Sequence, residues 1–404
     1  MADLFDKIAT DPSMQAVRMG KETGIYPYFK PLSETEGTEV VIDGRRLIMI
    51  GSNNYLGLTT HPKVREAAIE ATRKYGTSCT GSRFLNGTLE LHKELERRLA
   101  RFIGKEAAIV FSTGYQSNLG AITALMDKDD IAICDKEIHA SLVDAVRMAG
   151  CQMKRFRHND MNDLERVLKD NKDAPKMVIV DGVYSMGGDL ACAPEIAGLC
   201  HKYGARFFVD DAHGLGVMGP GGRGTAMHFG CVDQVDLIMG TFSKSFASLG
   251  GVIAGDQDVI DFIQHHARSF IFSASMPPAN AAAVLACLDI IEADPSYVER
   301  VHTQSAKVRK ALREMGYNCG ESVTPIIPVI IGSEMYTVAA WQSFFEYGIY
   351  TNPVLPPGVP PNKSLLRTSY MATHTDQQIE KIIAGFYEVG VRIGLIEEKE
   401  TVAA

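Results

Sequence analysis

Through the middle of the chain, short unbroken apolar runs alternate with stretches of helical periodicity. AAIVF (107–111), IAICD (131–135), MVIVDGV (177–183), RFFVDDA (206–212) and DLIMG (236–240) read as strands. Near-continuous apolar runs of this length fit a parallel sheet covered on both faces. Between them lie segments such as LHKELERRLARFIG (91–104), whose apolar residues recur every three or four positions. Strand alternating with helix predicts an α/β fold with a mostly parallel sheet. In such a sheet the site lies beyond the carboxyl ends of the strands.

The flanks are different. The segment PLSETEGTEVVIDGRRLIMIGSNNYLGL predicts a strand pair ahead of the sheet, and the first twenty residues mix polar and apolar positions as in a short amphipathic helix. From about Pro277 an alanine-rich helix, a strand in VTPIIPVII and the proline-rich NPVLPPGVPPNKSLLRTS (352–369) predict a smaller α+β unit. The expected division is therefore an N-terminal segment (1–55), a large domain (56–276) and a small C-terminal domain (277–404).

Composition narrows the function. The 404 residues carry 41 basic and 49 acidic side chains, a net charge of −8, which argues against a nucleic-acid partner. No apolar run approaches the ~18–20 residues of a spanning helix. The N-terminus lacks the basic-then-apolar plan of a secretion signal. The eight cysteines are scattered with no C-x-x-C pair, so reduced thiols are expected and a metal site is not. These features predict a cytoplasmic protein.

The residues that follow each strand are polar and chemically able. Lys244 stands in GTFSKS among the hydroxyls of Thr241, Ser243 and Ser245, where an amine could form a Schiff base with an aldehyde cofactor beside its phosphate. Asp210 ends the run RFFVD, where a buried carboxylate could keep a pyridine nitrogen protonated. Its neighbour Asp211 would face the opposite way if the strand continues. His213 could donate to a phenolate oxygen. Gly114 and Tyr115 in STGYQSN open a helix whose free N–H groups suit a phosphate. His139 in EIHAS could stack on a planar ring, and Arg367 in SLLRTS could clamp a carboxylate bidentately. Each residue alone has a plainer role: a loop lysine, a turn aspartate, a helix N-cap, a structural ion pair. Together they supply a Schiff-base lysine, a ring-nitrogen acid, a phosphate helix and a carboxylate clamp.

VDDAHGLGVMG, GTFSKSFASLGG and FSTGYQSNLG resemble the signatures of the α-oxoamine synthases, fold-type I pyridoxal phosphate (PLP) enzymes. The likeness runs from about GSNNYLGL (51–58) to LLRTSYMATHT (365–375). It implies an aspartate aminotransferase-like fold, pyridoxal 5'-phosphate as cofactor, and decarboxylative condensation of an amino acid with an acyl-CoA. GSRFLNGTLELHKELE, Phe242 before Ser243 and the proline-rich loop ahead of Arg367 look most like the bacterial members that join L-serine to a long-chain acyl-CoA.

By the same resemblance Lys244, Asp210, His139 and His213 are catalytic, and Gly114, Tyr115, Thr241, Ser243 and Ser185 surround the cofactor. Arg367, Asn54 and Tyr55 face the amino acid. A homodimer is implied, with the hydroxyl of Ser273 in FSASMPP reaching the partner's phosphate; relatives carry threonine there. Because the product of that reaction partitions into lipid, peripheral contact with the inner membrane stays open.

Three other readings compete. A glycine or alanine C-acyltransferase, such as 2-amino-3-ketobutyrate CoA ligase or 8-amino-7-oxononanoate synthase, differs in substrate by one small group that no residue above weighs decisively, although such relatives more often carry leucine at the position of Phe242. A nucleotide-dependent α/β enzyme would need a G-x-G-x-x-G after the first strand of a βαβ unit, and none follows there. A non-catalytic subunit on this fold would be expected to lose Lys244.

Overall fold

A computed structural model describes residues 3–398, so the first two residues of the N-terminal segment and the last six of the C-terminal part lie outside it. Its main feature is a seven-stranded sheet. In spatial order the strands are Ala107–Phe111, Gly251–Gly255, Leu237–Thr241, Arg206–Asp210, Lys176–Asp181, Ile131–Asp135 and Gln152–Phe156. Gly251–Gly255 runs against both its neighbours, while the remaining pairs are parallel.

The five runs read as strands all join this sheet within a residue or two of the expected ends. Two strands went unread, for different reasons. Gln152–Phe156 is an edge strand with mostly exposed side chains, so it has no apolar run. Gly251–Gly255 follows directly on Gly250 at the end of the loop after Lys244 and itself begins with glycine, a pair that reads as punctuation.

Both faces of the sheet are covered, which is why the inner strands Ile131–Asp135, Lys176–Asp181, Leu237–Thr241 and Gly251–Gly255 are buried along their whole length. One core packs Val178, Val180, Phe207, Val209 and Ile238 under the helices Glu90–Ile103, Ala193–Tyr203 and Pro278–Ala293. The other packs Ile109, Cys134, Ile179, Phe208 and Ile253 under the helices Gly114–Leu125, Ala140–Ala149 and Gln257–His266. The alanine-rich helix Pro278–Ala293 thus buries its side chains together with the sheet.

A separate core forms around the three-stranded sheet Ile326–Gly332, Ser364–Ser369 and Asn352–Val354. The N-terminal strands Glu34–Glu36, Glu39–Ile42 and Arg45–Met49 form a sheet with Ile349–Tyr350, tying the two ends of the chain together. Before them come the helices Asp6–Thr10 and Pro12–Glu22, split by the N-cap Asp11, and neither has a buried residue. No helix among the described residues is long and apolar enough to cross a membrane.

Candidate active site

A cavity of about 290 Å³ opens where the parallel strands end. Asp210, His213, Lys244 and His139 line it, together with Gly114, Tyr115, Thr241 and Ser243. Residues that lie far apart in the sequence meet here because each follows the carboxyl end of a strand.

Asp210 is the last residue of Arg206–Asp210 and is buried. Its Oδ2 accepts from Asn118 Nδ2 at 2.7 Å and its Oδ1 from the Ala212 N–H at 3.0 Å. Asp211 turns away: its carboxylate accepts from the backbone N–H and hydroxyl of Thr225, on the far side of the chain. The two adjacent aspartates therefore do different work, as strand alternation requires.

Lys244 follows the strand Leu237–Thr241 and has no side-chain hydrogen bond or ion pair among the described residues. Burial, reinforced by Arg367 and opposed by Asp210 and Asp181, pulls its ammonium down from 10.5 to about 8. His213 is buried, and burial with the nearby charges of Lys244, Arg367 and His139 holds it well below the usual histidine range. It is a neutral imidazole whose Nδ1 lies 2.7 Å from the Tyr55 hydroxyl. His139 is exposed and caps the helix Ala140–Ala149, with Nδ1 2.7 Å from Ser141 Oγ.

The helix Gly114–Leu125 points its N-terminus at the cavity, capped by Thr113, whose hydroxyl accepts from Gln116 N at 3.1 Å. Gly114 is a steric requirement, since a Cβ there would lie 2.7 Å from Thr241 Oγ1 and 2.9 Å from Thr241 Cβ. Thr241 Oγ1 in turn lies 3.0 Å from Ser243 Oγ. Tyr115 is half exposed, with its hydroxyl tied to Asp144.

Arg367 reaches the same region from the strand Ser364–Ser369. It is buried, its Nε donates to Ser185 O at 2.7 Å, and its Nη2 lies 3.4 Å from the Tyr55 hydroxyl. No carboxylate among the described residues pairs with it. Arg367, Ser185, Tyr55 and His213 thus form a hydrogen-bonded chain at the cavity's edge. Arg367, Ser185 and Tyr55 are not themselves lining residues and meet the cavity through His213, and Asn54 and Ser273 do not line it either. Asn54 gives its amide to Thr59 Oγ1 at 2.9 Å, and Ser273 Oγ accepts from Gln116 Nε2 at 2.9 Å.

Among the polar lining residues, Asn118, Ser141 and Asp181 escaped the sequence reading, as did the apolar Val183, Ala212, Met239 and Leu249. Asn118 bridges Asp210 and Ser141, and its Oδ1 is buried without a partner. Asp181 sits in register with Asp210 on the adjacent strand and accepts from the His139 N–H at 3.1 Å. Burial and the Asp210 charge raise its carboxyl well above the usual range. Its signal was available, because MVIVD ends on an aspartate just as RFFVD does.

A model of the aminotransferase class I and II family matches residues 45–386. A serine palmitoyltransferase from Bacteriovorax stolpii is 49% identical over 370 residues, covering 91% of this chain and 88% of the relative. The solved serine palmitoyltransferase of Sphingomonas wittichii superposes with a TM-score of 0.94 at 38% identity, over 98% of this chain and 100% of that one. A serine palmitoyltransferase from S. paucimobilis with PLP and myriocin bound gives the same TM-score, 0.94, at 34% identity, over 98% of this chain and 100% of that one.

Proposed function

The chain belongs to the aminotransferase class I and II family, and from that premise we propose that it is a PLP-dependent serine C-palmitoyltransferase. It joins L-serine to palmitoyl-CoA and releases CoA and carbon dioxide, giving 3-ketodihydrosphingosine.

The residues present fit the cofactor. Asn118 Oδ1 is an unpartnered buried acceptor in the cavity wall, and the Gly114 surface is a cradle that a Cβ would fill. The helix N-terminus at Gly114, with Thr241 and Ser243, suits a phosphate dianion. Asp210, fixed by two hydrogen bonds, would face the ring nitrogen. When bound, PLP supplies the electron sink that the condensation needs.

The chain's own groups do the rest. Arg367 receives the amino-acid carboxylate, and His139 stands on the cavity wall to share it. Lys244, with its pKa near 8, is poised to take the proton from the substrate Cα and later to return one. His213, neutral and bonded to Tyr55, presents its other ring nitrogen to the cofactor side. Asp210 holds positive charge at the far end, where preorganised electrostatics contribute most.

The observation that carries this reading is Arg367, a buried guanidinium without a carboxylate partner among the described residues, beside the depressed amine of Lys244. A buried charge left unpaired is costly. A substrate carboxylate completes it. The reading includes a homodimer in which Ser273 serves the partner's phosphate.

The test is a substrate panel on cofactor-loaded protein: L-serine, glycine and L-alanine with palmitoyl-CoA and with short acyl-CoA, with products identified by mass. A long-chain ketone formed from L-serine is expected. Turnover only of glycine or L-alanine would assign the chain to a different reaction of the same chemistry.

A further inference from the structure

A closed ionic unit lies outside the cavity. His158 places Nδ1 3.0 Å from Asp135 Oδ1 and Nε2 2.9 Å from Asp189 Oδ2. Asp135, fully buried at the end of Ile131–Asp135, also accepts the N–H groups of Glu137 at 2.8 Å and Asn159 at 3.0 Å. The Asn159 amide reaches Asp189 Oδ2 at 3.1 Å and Leu190 O at 2.9 Å. With a carboxylate on each ring nitrogen, the imidazole keeps both protons, since a neutral ring would turn a lone pair on one of them. Burial alone would lower its pKa, but the bonds to Asp135 and Asp189 outweigh that and push it up to about 10.

What this unit holds is a turn. The Tyr184 N–H donates to Asp189 O at 3.0 Å and the Gly188 N–H to Tyr184 O at 2.8 Å, closing Tyr184–Asp189 on itself. The Tyr184 ring meets the His158 ring edge-on, with centroids 4.4 Å apart. The other side of the turn faces the C-terminal sheet. Ser185 O accepts from Arg367 Nε at 2.7 Å, and Gly188 O accepts from Thr324 Oγ1 at 2.9 Å. Gly188 has φ 69°, and a Cβ on it would lie 2.2 Å from Ile326 O, so only glycine allows this approach. One six-residue turn thus links the large sheet to the guanidinium.

We propose that His158 is a positioning residue for Arg367: clamped between Asp135 and Asp189, it fixes the Tyr184–Asp189 turn so that the Ser185 carbonyl orients the guanidinium for the amino-acid carboxylate. This rests on the reading of Arg367 as the carboxylate receptor. A unit that merely stapled the fold would lower stability without distinguishing one ligand from another.

The experiment titrates the absorbance of the holoenzyme's bound cofactor with L-serine and with L-serine methyl ester, which has no anionic carboxylate. It compares wild type, His158→Ala, Arg367→Ala and the double variant. His158→Ala is expected to raise the Kd for L-serine about tenfold, as loss of a supporting hydrogen-bond partner does elsewhere. The ester's Kd should stay within about twofold, and His158→Ala should add nothing once Arg367 is gone. Equal losses for both ligands, full additivity, or an unchanged L-serine Kd would each overturn the proposal. Should His158→Ala not yield folded holoenzyme, Asp189→Asn, which keeps the shape and removes the charge, carries the same comparison. Failure of both variants to fold assigns the unit to stability alone. A wild type that gives no response to L-serine refutes the functional reading itself, whereas a responding wild type matched by His158→Ala refutes only the role of His158.

Discussion

Asn118 Nδ2 donates to Asp210 Oδ2 at 2.7 Å, and this bond, with the Ala212 N–H on Oδ1, aims the carboxylate. A hydrogen bond to a charged group contributes about 1.5–3 kcal/mol, which corresponds to roughly 10–100-fold in affinity. Asn118→Ala is therefore expected to weaken PLP retention by about that factor, read by equilibrium dialysis of the holoenzyme. Retention equal to wild type would show that Asp210 is held without Asn118.

Lys244→Ala removes the sole amine among the cavity's lining residues. Borohydride treatment of wild-type holoenzyme should fix the cofactor to the peptide containing Lys244, and the variant should show no adduct by mass spectrometry. Turnover should fall by at least about 10²–10⁴, the usual contribution of a positioned acid–base group. An adduct at another lysine would displace Lys244 from the chemistry.

The amine of Lys244 has a pH dependence with a definite sign. Folding lowers its pKa from 10.5 to about 8, chiefly by burial. Between those values the unfolded chain binds more protons than the folded one, so cofactor-free protein gains stability from this group as pH rises across the window. Below pH 8 both forms are charged and the burial cost is present in full. The rate at which cofactor-free protein captures PLP should accordingly rise with pH and level off above about 8. Asp210 works against the depression, so Asp210→Asn should move that midpoint down. Stopped-flow mixing with PLP measures both. A midpoint near that of free lysine would mean that the amine is solvated.

Much of this site could be read in the sequence because a parallel sheet places polar chemistry directly after apolar runs. Gly114, His139, Asp210 and Lys244 each follow such a run, and each lines the cavity. What escaped was orientation. Asn118 makes no pattern of its own, since its importance lies in which atom of Asp210 it touches. Tyr55 and His213 meet at 2.7 Å across 158 positions, a pairing that no local spacing reveals. Asn54 and Tyr55 are neighbours in sequence, yet one bonds Thr59 and the other turns to His213. The unread antiparallel strand Gly251–Gly255 has the same origin, because Gly251 serves close packing against Gly114, Gly255 serves it against Asp236 and Leu237, and neither says anything of strand propensity.

Arg367→Lys keeps the charge but loses the planar fork that spans Ser185 O and the Tyr55 hydroxyl. Its effect should fall on the amino acid and not on the cofactor. The KM for L-serine is expected to rise about tenfold or more, with PLP content unchanged. Steady-state kinetics beside the cofactor absorbance separate the two. An unchanged KM would remove Arg367 from carboxylate binding, and loss of cofactor would make it structural.

Gly114→Ala tests the phosphate cradle with a single methyl group. The new Cβ would lie 2.7 Å from Thr241 Oγ1, 2.9 Å from Thr241 Cβ and 3.0 Å from Met239 Cε, so the helix start or the Thr241 side chain must shift. Alanine favours a helix interior over glycine by about 1 kcal/mol, and at Gly114, the first residue of its helix, that gain is at most as large. Overpacking of this kind costs about 1–3 kcal/mol and outweighs it. Because Thr241 Oγ1 is also within 3.0 Å of Ser243 Oγ, the displacement should pass to both hydroxyls expected around the phosphate. The expected outcome is a small fall in Tm for cofactor-free protein and a larger one for holoenzyme, as the stabilisation conferred by bound PLP shrinks with its affinity. Equal shifts in the two forms would show that the methyl group strains the fold without reaching the phosphate.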